Sequence, residues 1–72
     1  MNQEDKVYNE ILEHILRLLS EHHSIEMVAA SLMAIAQRLY KTHLSQDDYR
    51  RIMRIAVETP VEPYDLKKGT LH

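Results

Sequence analysis

At 72 residues with no cysteine, the chain has the length of a single domain. Disulfides, thiolate metal ligands and thiol redox chemistry are excluded. Apolar residues make up 44% and charged residues 28% of it, a globular balance that sets it apart from disordered chains. A net charge of −2 gives no bulk attraction to nucleic acid or to an anionic membrane.

One glycine and two prolines, with no tryptophan or phenylalanine, leave little material for sheets and tight turns, so the expected fold is all-α. The opening Asn2-Gln3-Glu4-Asp5 lacks the basic stretch of a secretory signal. The longest largely apolar run, Met27 to Ala36, is about half of what a bilayer span needs. A cytoplasmic protein without a membrane segment is the expectation. The charge is uneven along the chain: residues 1–37 carry six acids and two bases, whereas residues 38–54 carry five bases and two acids.

The first helix is expected from about Glu4 to Glu21. Tyr8, Ile11, Leu12, Ile15, Leu16, Leu18 and Leu19 recur at three- and four-residue steps and form one wide apolar face. Glu10, Glu13, His14, Arg17 and Glu21 fill the other side, with Glu13 and Arg17 in the favourable acid-first order at i, i+4. Glu4 and Asp5 at the start, and His22 and His23 past the end, complement the helix dipole.

Ser24 is a good N-cap for a second helix running from Ile25 to about Thr42. Twelve of the sixteen residues from Ile25 to Tyr40 are apolar, and they do not keep to one side. Ile25, Val28, Leu32, Ile35 and Leu39 form a heptad-like seam. Ala29, Met33, Ala36 and Tyr40 form a second stripe, and Met27, Ala30 and Ala34 a third. A helix apolar nearly all round is expected to be buried nearly all round, which makes this the central element.

The third helix has the clearest start signal. Ser45 can cap it, Asp48 stands three residues on in an acidic variant of the capping box, and Leu44 can staple onto Tyr49. Tyr49, Ile52, Met53, Ile55 and Ala56 give its apolar side. Pro60 ends it, because the residue before a proline is pushed out of helical geometry. A three-helix domain over residues 1–59 is therefore followed by an extended arm over 60–72, with Val61, Tyr64 and Leu66 available for docking. The first two helices are expected as an antiparallel hairpin, crossed by the third.

No constellation points to catalysis. The lone glycine, Gly69, rules out a Gly-rich phosphate loop, and Ser20, Ser24 and Ser45 look like helix-end residues without a paired histidine. Five histidines raise the question of a metal, but His22 and His23 point about 100° apart on a helix, and His14, His43 and His72 lie elsewhere, without the tight pairs zinc requires. Neither an enzyme nor a metal or cofactor site is expected.

Nucleic acid is the alternative partner. Ser24-Ile-Glu-Met-Val-Ala-Ala-Ser-Leu32 resembles the opening helix of a helix-turn-helix. The motif then needs a turn, whereas Met33-Ala34-Ile35-Ala36 continues the helix. Arg38, Lys41, Arg50, Arg51 and Arg54 are the candidate phosphate or partner contacts. Asp47 can pair with Arg51, and Glu58 with Arg54, at i, i+4 spacing.

Self-association has the stronger physical case. So short a chain rarely builds a sufficient core alone. The second helix leaves only Glu26, Ser31, Gln37 and Arg38 to interrupt its apolar surface, too few for a stripe facing water. Met27, Ala30, Met33 and Ala34 are the candidate oligomer interface, with a two-fold dimer favoured. The expected role is a small oligomeric interaction or regulatory module whose protein partner the sequence does not name.

Overall fold

The computed structural model describes residues 2–66. Three helices account for its regular structure: α1 (Gln3–Ser20), α2 (Ile25–His43) and α3 (Gln46–Glu58). The all-α expectation is met, with element bounds within a residue or so of those read from the sequence.

Each helix start is fixed by a side chain. Asn2 caps α1, its side-chain oxygen accepting from the backbone N–H of Asp5 at 2.9 Å. Ser24 caps α2 by accepting from Met27 N–H at 3.0 Å, and Ser45 caps α3 by accepting from Asp48 N–H at 3.2 Å. Each satisfies one of the amides that a helix N-terminus leaves unpaired. The capping box at α3 is half made, because the Asp48 carboxylate turns instead to Arg51 at 2.6 Å. Arg51 thus pairs with the acid three residues back, in place of Asp47.

The end of α1 is a Schellman turn. The N–H of His22 donates to the carbonyl of Leu19 at 3.1 Å, and the N–H of His23 to that of Leu18 at 3.3 Å. The turn requires a left-handed residue, and His22 supplies it at φ 71°. The expected Glu13–Arg17 pair gives way to a shorter-range one, in which Arg17 donates to Nδ1 of His14 at 2.9 Å. At the far end, Thr59 is extended ahead of Pro60, and its N–H and hydroxyl both donate to Ile55 O, at 2.9 and 2.6 Å. That agrees with the proline stop.

The chain divides into two compact units. One comprises the described residues up to Ala30 together with Asp65 and Leu66, and the other is Ser31–Tyr64. In the first unit Val28 is the sole buried residue, at 8% exposure, while Leu12, Ile15, Leu16, Leu19 and Leu66 are half-buried. In the second, Ala36, Gln37, Leu44, Asp48, Tyr49, Ile52 and Met53 are half-buried and nothing is fully buried. The arm therefore divides in two: Leu66 is half-buried, whereas Val61 and Tyr64 stand exposed.

Candidate interaction surface

In the first unit the wide apolar face of α1 splits lengthwise. Leu12, Ile15, Leu16 and Leu19 turn inward, while Val7, Ile11 and Leu18, which lie within about 40° of one another at 100° per residue, are left exposed beside Tyr8. Gln3, Glu4, Val7, Tyr8 and Ile11 line a shallow depression at this edge. On the α2 residues of the same unit, Met27 and Ala30 are exposed.

In the Ser31–Tyr64 unit α2 has two different sides. Toward α3, Ala34, Gln37, Arg38, Lys41 and Thr42 join Tyr49 around an open groove of about 520 Å³. The Lys41 ammonium lies over the Tyr49 ring, 4.9 Å from its centroid, a cation–π contact. Ala34 thus borders a groove of its own chain, while Met33 is bare.

The other side of α2 carries Leu32, Ile35 and Leu39, roughly 140° around the helix from the groove. Ile35 is 57% exposed and Leu39 66% exposed, with Leu32 at the margin at 36%. Sequence reasoning identified this heptad-like seam but attached the interface to Met27, Ala30, Met33 and Ala34, drawn from the other two stripes. The signal for the seam was its spacing. What the spacing leaves open is whether a helix of the same chain lies over it.

The expectation that α2 is buried nearly all round is not met by the single chain. Two short helices have too little surface to wrap a third that is apolar on three sides. Among the described residues fifteen large hydrophobic ones are exposed, well beyond the scattered singles normal on a soluble surface.

Of the five candidate cations, Arg51 is held by an acid. Among the described residues Arg38, Arg50 and Arg54 make no ion pair, and Lys41 is taken up by Tyr49. The expected Glu58–Arg54 pair does not form. Among the described residues no group of three or more His, Cys, Asp or Glu side chains converges as a metal-ligand set, and His72 lies outside them. No described helix is long and apolar enough to cross a membrane. Compared with protein-family models, curated proteins and solved structures, the chain finds no match.

Proposed function

We propose that the protein is a small helical interaction module that self-associates through α2. The observation that carries this reading is the burial pattern: Val28 is the one buried residue among those described, while Met27, Met33, Ile35 and Leu39 of the same helix are more than half exposed. Apolar area returned from water contributes roughly 25 cal/mol per Å². Ordering each residue of the backbone costs about 1–2 kcal/mol, and a chain this thinly buried recovers little of that alone. Covering the bare sides of α2 with a second copy supplies the missing burial by the commonest route, a two-fold dimer.

Sedimentation over a micromolar concentration series tests the reading. A mass of twice 8.5 kDa or more is expected, falling to that of the monomer on dilution. Ala30→Glu or Leu39→Glu, whichever lies in the contact, should favour the monomer by placing an unpaired charge in an apolar interface. A particle of 8.5 kDa at every concentration would defeat the proposal.

A second reading is favoured by one observation, the freedom of Arg38, Arg50 and Arg54 from acids. These cations would contact nucleic-acid phosphates, with Arg51 released from Asp48. Binding to duplex DNA would then fall steeply with added salt, because each neutralised phosphate releases counterions. The Arg50→Ala/Arg51→Ala/Arg54→Ala variant would lose it. Absence of salt-sensitive binding at low ionic strength eliminates this alternative.

A further inference from the structure

We propose that the extended arm of one copy, residues 60–64, lies in the groove between α2 and Tyr49 of a second copy, with Glu62 of the arm meeting Arg38 of the groove. This rests on the self-association proposed above and names the segment that one copy lays on α2 of the other.

The arm is ordered for binding by its prolines. A proline fixes its own φ and pushes the residue before it into extended geometry, so Pro60 and Pro63 constrain Thr59 and Glu62 as well as themselves. Thr59 accordingly stands at φ −78°, ψ 122°, and residues 60–64 have no regular structure and are exposed throughout. Two prolines three apart mark one turn of polyproline II. A segment held in that form loses little freedom when it docks. Val61 and Tyr64 leave apolar surface on it in solvent.

The groove matches the arm in length, lining and charge. From Ala34 to Thr42 α2 rises roughly 12 Å, and residues 60–64 in polyproline II span roughly the same. Laid centre on centre, in either direction, they bring Glu62 to Arg38. Ala34, the Tyr49 ring and the alkyl stems of Arg38 and Lys41 offer apolar surface to Val61 and the prolines. The lining holds two cations, Arg38 and Lys41, and no acid. Residues 55–66 hold three acids, Glu58, Glu62 and Asp65, and no base. The opposed charges thus lie on the two surfaces that meet.

A second copy is the occupant because these charges go unspent within one chain. Among the described residues the side chains of Arg38, Glu58 and Glu62 make no hydrogen bond or ion pair. Arm and groove belong to the same Ser31–Tyr64 unit. Even so, the described lining of the groove comes from α2 and Tyr49 alone, and the arm stands outside it. Each chain can therefore give one arm and receive one, which closes the contact around a two-fold axis.

A charge exchange tests the pairing, since Arg38 and Glu62 are exposed and their side chains hold no contact that folding needs. Full-length Arg38→Glu and Glu62→Arg chains, checked for helicity by circular dichroism, are sedimented separately over a concentration series and then in equal mixture. Alone, each variant sets like charges together at both contacts of the pair and is expected to associate about tenfold more weakly than wild type. The mixture is expected to regain wild-type affinity. In it the unaltered arm meets the unaltered groove, and the altered arm meets the altered groove with the charges exchanged. Single variants of wild-type affinity would overturn the inference while self-association stands. So would a mixture no tighter than either variant, because the pair would then not join two copies. A wild-type protein that is monomeric at every concentration removes both.

Discussion

His22 carries the one backbone conformation in the described chain that its residue type resists. A left-handed φ of 71° crowds the Cβ of an L-residue against its own carbonyl, at a cost of about 1–2 kcal/mol, although histidine is among the residues that tolerate it better. The Schellman turn repays this by satisfying the carbonyls of Leu18 and Leu19. Among the described residues the His22 side chain itself makes no hydrogen bond or ion pair, so the ring contributes nothing that glycine would lose. His22→Gly is therefore expected to stabilise the protein by about 0.5–1 kcal/mol, after allowing for the greater freedom of an unfolded glycine. Melting at matched protein concentration should show a rise of a few degrees. A midpoint that stays put or falls would mean that the imidazole has a contact of its own. This turn was not legible beforehand. Two histidines after a helix satisfy the expectation of positive charge near its C-terminus, and that simpler explanation hides the need for a left-handed residue.

Among the elements, starts and stops were the most legible features. Ser24, Ser45 and Pro60 act as their chemistry dictates, because a cap or a proline stop involves only neighbours along the chain. Side-chain pairs on the helix surfaces were less legible, and Arg17 and Arg51 both chose a nearer partner than the i, i+4 acid. Several rotamers of a long side chain reach several partners, and spacing alone does not rank them. Burial was the least legible. Periodicity shows which residues are apolar but not which helix covers them, and so Leu32, Ile35 and Leu39 read as interior while they stand bare. The arm shows the same divide, with Leu66 tucked in and Val61 and Tyr64 outside. Ending the chain at Thr59 should remove the Leu66 burial, lowering stability by about 1 kcal/mol and the melting midpoint with it. An identical melting curve would show that Leu66 packs without consequence.

For the whole molecule, the decisive property is how little of it is interior. A larger domain could lose a partner and keep its fold, because its own core holds a reserve of several kcal/mol. Here Val28, at 8% exposure, is the only buried residue among those described, and on the proposed self-association the reserve would come from the assembly. Obligate dimers often lack a stable folded monomer, so that stability depends on protomer concentration. In such a dimer the exposed α2 would link abundance to lifetime. At high copy number the chains would shelter one another, and after dilution each released chain would open readily and present its backbone to proteases. A protein built this way needs no separate signal to be cleared when its synthesis stops, because falling concentration alone would hasten its removal.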